Sequence, residues 1–343
     1  MADEAPCNDS DLNELFDRLD DIQSPDTSCF LCGCLLTESN ATSEHVFPRW
    51  AQNRYDLWNQ QVVLLNRTSI PYRQFTVPCC EDCNRYRLKP LEDSLSQTVE
   101  QGKQAVVSLG KRLLFLWLGK IFYGMLYKEM TLLFDRSSPK GKRIITPEFA
   151  RHYRMHRFFL QQAREVVHPA NFDVGSILVF SMQPLTEKRL EWDFCDNIDT
   201  MFIGCRVGRV GLIAVLGDGG AQQLFEDAYS DIQNLDLHPI QFRELCAHFS
   251  YRSMLATRTP KYITVSGSPH IVHQMPLGGF SAKPLFEEWN QAIYAQVLAH
   301  YVGEDVSHLY SPPDKVMTWL HTPDRQPRFM SFTEFPILPR SPK

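Results

Sequence analysis

Four cysteines stand in two closely spaced pairs, Cys29 with Cys32 and Cys80 with Cys83. Two residues between paired cysteines allow one tight turn to direct both thiolates at a single ion, and two such turns complete the four-sulfur tetrahedron that structural zinc prefers. The spacing therefore predicts one structural Zn2+ site. Two further cysteines, Cys34 and Cys79, lie next to these pairs, and we interpret them as small buried apolar side chains.

The segment between the pairs contains Ser43-Glu44-His45-Val46-Phe47-Pro48-Arg49-Trp50, and Asn84 follows the second pair directly. Cys-x-x-Cys, an acid followed by His, an intermediate Asn, and Cys-x-x-Cys followed by Asn occur here in the order typical of one family. From Cys29 to about Glu92 the chain resembles the HNH endonuclease family. The resemblance implies a ββα-metal unit with a treble-clef zinc site.

The resemblance also implies roles for individual residues. His45 is expected to be the general base, because an imidazole titrates near neutrality and can take a proton from the attacking water. Glu44 and Asn84 are expected to be oxygen ligands of one catalytic divalent cation, most simply Mg2+.

The intermediate Asn, which orients the imidazole in this family, has two candidates, Asn59 and Asn66. We favour Asn66, because residues 61–65 are predicted to be one strand and residues 72–77 the returning strand of a hairpin. Asn66 then lies where the hairpin bends. The family more often has Asp than Glu before the His and a shorter gap before the Asn, so the choice between the two stays open.

Charge is unevenly distributed along the chain. Net charge is -5, but residues 1–28 carry nine acids and one base, which leaves a net charge of +3 for the rest. Positive side chains in the motif region are expected to contact the phosphates of DNA, with RNA not excluded. These candidate nucleic-acid-binding residues are Arg49, Arg67, Arg73, Arg85, Arg87 and Lys89.

The composition of the 343 residues, 43% hydrophobic and 22% charged, is that of a globular protein that can bury one large or two moderate cores. The predicted fold class is α+β, from the ββα unit that the resemblance implies and from the helical and strand-like patterns that follow it. We predict an acidic segment with a short helix at 1–28, an HNH domain at 29–94 and an α+β accessory domain at 95–343. The short helix is expected to use Leu12, Leu15, Phe16, Leu19 and Ile22 as its apolar face.

The accessory domain is predicted to begin with long apolar helices over 95–167, to continue with an antiparallel sheet over 176–220, and to end with helices. Lys120, Lys128 and Glu129 interrupt the apolar run of 113–134, and Lys111 and Arg112 precede it, so we expect a buried helix and no membrane span. Arg151, Arg154 and Arg157, with His152 and His156, are expected to form a solvated basic helix face.

No signal peptide opens the chain, and paired cysteines in a reducing compartment indicate metal more often than disulfide, so we expect a cytoplasmic protein. The resemblance suggests a restriction or phage-defence effector that hydrolyses DNA. The alternative is a non-catalytic zinc-binding module that contacts nucleic acid or protein. A homo-oligomer or an activating protein partner is compatible with either function.

Overall fold

A computed structural model describes residues 9–21, 24–135, 137–138, 140–171, 174–277 and 283–336. The fold is a mixture of helix and sheet, as predicted, and it divides into two compact units. The first comprises the described residues of Met1–Ser96, Arg112–Asn171 and Tyr262–His273. The second comprises those of Gln97–Lys111, Phe172–Lys261 and Gln274–Lys343.

These units differ from the predicted domains, because residues 112–171 pack with the cysteine-bearing segment. The first unit holds α1 (Leu12–Asp20), β1 (Ala41–His45), α2 (Arg49–Arg54), β2 (Gln61–Val63), β3 (Ser69–Pro71), β4 (Thr76–Cys80), a π-helical segment (Asp82–Leu88) and most of α3 (Lys89–Thr98). The elements that follow in the chain are α4 (Lys103–Ser108, second unit), α5 (Gly110–Thr131, mostly first unit), α6 (Pro147–Ala150), α7 (Arg154–Leu160) and β5 (Val167–Pro169).

The hairpin that carries Asn66 is shorter than predicted. Strand β2 pairs with β3, and Tyr72–Gln74 is a single 3-10 turn where a returning strand was expected. Strand β4 instead pairs antiparallel with β1, in a register that sets His45 opposite Thr76 and Ala41 opposite Cys80. This register brings the second cysteine pair towards the strand that carries Glu44 and His45.

The long helical block of 94–134 is divided by two glycines. Gly102 and Gly110 have φ of +87° and +81°, a left-handed conformation that side-chain-bearing residues rarely adopt, and α4 lies between them. Gly119 has a different purpose within α5: a Cβ there would lie 2.8 Å from the His156 ring. The buried helix predicted for this region is confirmed, since fifteen of the 22 residues of α5 are buried.

The short acidic helix is α1, whose N-terminus is capped by the Asp11 carboxylate, and Leu15 and Leu19 are its buried side chains. Ile22 lies outside the described residues. The predicted basic face of 151–157 is wrong for two of its members, since His156 and Arg157 are 2% and 1% exposed. They face inward because α7 packs against α1 and supplies polar groups to buried backbone.

A five-stranded sheet forms the centre of the second unit, in the order β10, β6, β9, β8, β7. Strands β6 to β9 pair antiparallel, as predicted, and β10 is parallel to β6. Every residue of β8 and β9 is buried, and helix α9 packs against them. Besides α4, the second unit contains β6 (Ser176–Met182), β7 (Trp192–Asn197), β8 (Phe202–Val207), β9 (Val210–Val215), a 3-10 helix (Ala221–Tyr229), α8 (Ser230–Gln233), β10 (Asp236–Leu237), α9 (Pro239–Met254), α10 (Gln291–Val302), α11 (Val306–Leu309), β13 (Tyr310–Ser311) and β14 (Lys315–Val316). Two further strands, β11 (Tyr262–Val265) and β12 (His270–Gln274), belong mostly to the first unit.

Among the described residues, no helix combines the length and apolarity that crossing a bilayer requires. Helix α5 is the longest apolar helix, and Lys120 and Glu129 are buried within it.

Candidate metal and catalytic site

The four paired cysteines come together in the first unit. Cys29 and Cys32 lie on a turn before β1, Cys80 ends β4, and Cys83 lies in the π-helical segment. Their sulfur atoms are all buried and within 4.8 Å of one another. Cys32 Sγ is 3.8 Å from Cys80 Sγ, which is close to the edge of about 3.8 Å expected for a tetrahedron with Zn–S bonds of about 2.3 Å. The residues therefore fit a metal such as zinc.

Cys79 is fully buried, as predicted, and its sulfur lies 3.9 Å from Cys29 Sγ, outside the four-sulfur group. Burial raises the pKa of the Cys79 thiol well above its ordinary value, which favours a neutral side chain. Cys34 is only partly buried, so its interpretation as a core residue is wrong.

Backbone carbonyls of the first cysteine turn are held by side chains from outside the motif. Arg157 of α7 donates to the carbonyls of Cys29 and Phe30, each at 3.0 Å. Gln161 donates to the Leu31 carbonyl at 2.8 Å, and Arg18 of α1 donates to the Cys32 carbonyl at 2.9 Å. Four successive carbonyls are thus satisfied, which fixes the turn that presents two of the sulfurs.

Glu44 points into the protein from β1 and is 7% exposed. Its Oε1 lies 2.5 Å from Nζ of Lys120, a buried residue of α5. The same ammonium pairs with Glu92 and donates to the backbone carbonyl of His45 at 2.8 Å. No hydrogen bond to Glu44 Oε2 is found among the described residues, whereas Oε1 is occupied by the ammonium.

The buried charges of Glu44, Glu92 and Lys120 affect the pKa values of Glu92 and Lys120. Burial raises the pKa of Glu92 to about 7 despite the opposing effect of Lys120, and the two carboxylates raise the pKa of Lys120 against its burial. No local pattern in the sequence indicates this arrangement, because Lys120 lies far along the chain from Glu44 and within an apolar helix.

His45 ends β1 with its side chain half-buried. Burial, followed by the nearby cations Lys120 and Arg49, lowers the pKa of His45 below its ordinary value. The imidazole is therefore neutral at neutral pH, which is the state a general base requires. Its Nδ1 lies 3.3 Å from Nε2 of Gln52, and Gln52 also donates to the Phe47 carbonyl at 2.8 Å.

Among the described residues, neither candidate for the intermediate Asn makes a hydrogen bond to this imidazole. Asn66 donates to the Phe134 carbonyl and accepts from Thr68, and Asn59 accepts from Arg73. Gln52, which the sequence did not single out, makes the ring contact expected of Asn66. Only three residues separate the end of β1 from the start of α2, which places Gln52 within reach of the His45 ring.

Asn84 is tied directly to β1. Its Nδ2 donates to Thr42 Oγ1 at 3.1 Å and to the Ser43 carbonyl at 3.2 Å. Its Oδ1 accepts no hydrogen bond within the described part of the chain. The amide of Asn84 therefore lies against the backbone that leads into Glu44 and His45, with its oxygen unused.

The six predicted nucleic-acid-binding residues fall into two groups. Arg85, Arg87 and Lys89 pair with Glu81, Asp82 and Asp93 at 2.8, 3.4 and 2.5 Å. Arg49, Arg67 and Arg73 make no ion pair with a carboxylate among the described residues. Arg49 instead lies over the Trp58 ring, 5.7 Å from its centroid, and this ring is 5.9 Å from that of His45.

Comparisons of the chain with protein-family models, with curated proteins and with solved structures find no match in any of the three.

Proposed function

We propose that the first unit is an HNH-type endonuclease that hydrolyses phosphodiester bonds in DNA. The observation that carries this proposal is the attachment of Asn84 to β1, because it ties the residue after the second cysteine pair to the strand that carries Glu44 and His45. On this proposal the cysteines form a treble-clef zinc site and the β1–β4 pair with the following helix is the ββα-metal unit.

Each residue has a stated task in the proposed reaction. The neutral His45 imidazole takes the proton of the attacking water, and Gln52 and the Lys120 contact to its backbone fix its position. Glu44 Oε2 and Asn84 Oδ1 would hold a hard divalent cation, most simply Mg2+. Such a cation, when bound, neutralises negative charge on the phosphate and the leaving oxygen.

A second candidate is a zinc-binding interaction module without catalysis. The observation in its favour is the ion pair between Glu44 and Lys120, which occupies one carboxylate oxygen of the proposed metal ligand. In such a module His45 is dispensable. The restriction or phage-defence role is part of the proposal and depends on the resemblance alone. The cytoplasmic location is also part of the proposal and depends on the N-terminal composition and the paired cysteines.

Cleavage of plasmid DNA and of single-stranded circular DNA, each with added magnesium, manganese or nickel, tests the proposal. We expect His45→Ala to reduce the cleavage rate by about 10²- to 10⁴-fold, the usual contribution of a general base, while zinc content stays at that of the wild type. His152→Ala is the matched control, because His152 is exposed and its ring contacts the Phe149 carbonyl. Equal cleavage by wild type and His45→Ala would remove His45 as the base, and no cleavage by either would favour the interaction module.

A further inference from the structure

The basic residues near His45 differ from those on the helix in what surrounds them. Residues 49–75 contain four arginines and one aspartate, a net charge of +3, whereas residues 81–93 contain three basic and four acidic residues, a net charge of -1. The three helical cations are already paired with carboxylates. A polyanion is therefore attracted more strongly to the segment that contains Arg49 and Arg73 than to residues 81–93.

Trp58 lies at the centre of this basic region. Its ring is partly exposed, is 5.9 Å from the His45 ring and has the guanidinium of exposed Arg49 at 5.7 Å. Its backbone carbonyl accepts from the Arg73 amide, and the Arg73 guanidinium donates to neighbouring Asn59. An indole and two arginines thus share one surface beside the proposed general base.

Aromatic rings between cations are the usual means of holding unpaired nucleotides, because every base has a face that stacks and every nucleotide carries a phosphate. A base within a duplex already stacks on its neighbours and cannot offer its face to Trp58. We propose that Trp58, Arg49 and Arg73 bind a nucleotide of a single strand, with its base against Trp58 and its phosphates on the arginines. This inference names the substrate class of the proposed nuclease and rests on that proposed function.

Binding of fluorescent oligonucleotides without added divalent cation tests the inference. One probe is a twelve-nucleotide oligothymidylate, and the other is an abasic strand of equal length, which keeps the phosphates and lacks the bases. We expect Trp58→Leu, which fills much of the indole volume without an aromatic face, to weaken oligothymidylate binding about tenfold and abasic binding less than about twofold. Trp58→Phe should restore most of the loss.

Arg49→Gln should weaken both probes and reduce the salt dependence of binding, since a phosphate contact does not depend on the base. Tyr86→Ala is the matched control, because Tyr86 is a 62% exposed aromatic residue between the paired Arg85 and Arg87. We expect it to bind both probes as the wild type does.

The inference is overturned if the wild type binds a duplex of the same length as tightly as it binds oligothymidylate. It is also overturned by oligothymidylate binding that Trp58→Leu leaves unchanged, or by an equal loss for both probes. If Trp58→Leu fails to fold, the comparison of Trp58→Phe with Arg49→Gln decides: Phe must retain the preference for oligothymidylate over the abasic strand. Cleavage is not measured, so a failure of stacking is distinguishable from a failure of the His45 reaction.

Discussion

Lys120 is the residue that connects the motif to the rest of the first unit. It is 2% exposed and lies between two carboxylates, Glu44 and Glu92, while also holding the His45 carbonyl. One ammonium between two carboxylates leaves a buried net charge of -1, which agrees with the raised pKa of Glu92 of about 7. Burial makes each partner dependent on the others, because a buried charge that loses its partner keeps its desolvation cost.

We therefore expect Lys120→Met to lower the free energy of unfolding by about 3–5 kcal/mol. The deficit should grow from pH 5 to pH 8. A carboxyl group with a raised folded-state pKa binds more protons when folded, so its stabilising contribution is complete at low pH and is lost as pH rises through that pKa. Urea unfolding at the two pH values measures this.

The second variant for this prediction is Lys120→Met with Glu92→Gln, which removes one of the two unpaired carboxylates and should recover part of the loss. Lys128→Met is the control on the same helix, because no ion pair is formed by Lys128 among the described residues. A Lys120→Met protein as stable as the wild type at pH 8 would contradict the importance of the ammonium.

Helix α7 is the element that secures the cysteine turn. Arg157 donates to the carbonyls of Leu19, Cys29 and Phe30 and lies over the rings of Tyr123 and Tyr127. Two segments from outside the motif, α1 and α7, therefore meet at the turn that carries two of the four sulfurs. A guanidinium suits this position because its several donors are fixed in one plane.

Arg157→Met should accelerate zinc release to a chelating dye by at least about tenfold. The variant removes three hydrogen bonds, and the loss of a buried carbonyl's donor costs about 1–3 kcal/mol, although the Cys29 carbonyl still accepts from the Gly33 amide at 2.9 Å. Arg157→Lys should not restore slow release, because one ammonium cannot reproduce the geometry of the guanidinium. Arg154→Met is the control, since Arg154 is 57% exposed and its pair with Asp20 spans 3.7 Å. Equal release rates for all of these proteins would show that α7 does not secure the turn.

At the scale of the whole molecule, the two units have different sources of stability. The first joins distant stretches of the chain through the cysteine cluster, Lys120 and Arg157. The second has an apolar core between its sheet and its helices, including Phe202, Ile213, Leu245 and Leu298. Both units bury apolar side chains, among them Trp117 and Phe122 in the first, but strands β1 and β4 of the first unit also lie next to the cysteine cluster. Loss of the ion is expected to destabilise the segments that carry or adjoin its ligands more than the sheet of the second unit.

Chelation of the metal should therefore raise amide hydrogen exchange in β1 and β4 and leave β8 and β9 protected. Hydrogen exchange followed by mass spectrometry measures both regions in one sample. Cys32→Ser should reproduce the effect without chelator, and Cys205→Ser, a substitution in the second unit, should not affect β1. Equal protection of β1 and β4 with and without metal would argue against a metal staple.

The sequence by itself was sufficient to predict the cysteine site, the antiparallel sheet and the buried helix α5. Each of these depends on local spacing or on a run of apolar residues, and such patterns are retained whatever the rest of the chain does. The order of Glu44, His45 and Asn84 was also visible, and their catalytic roles stay predictions.

Only the tertiary structure decided which residues surround that motif. Gln52 at the imidazole, Lys120 and Glu92 at Glu44, and Arg157 at the cysteine turn come from other elements, and a single sequence contains no signal for contacts between such distant positions. The tertiary structure alone also revealed the pairing of β4 with β1 and the ion pairs that neutralise Arg85 and Arg87. Long-range packing brings these groups together, because burying charges and backbone carbonyls is favourable only where a partner is present.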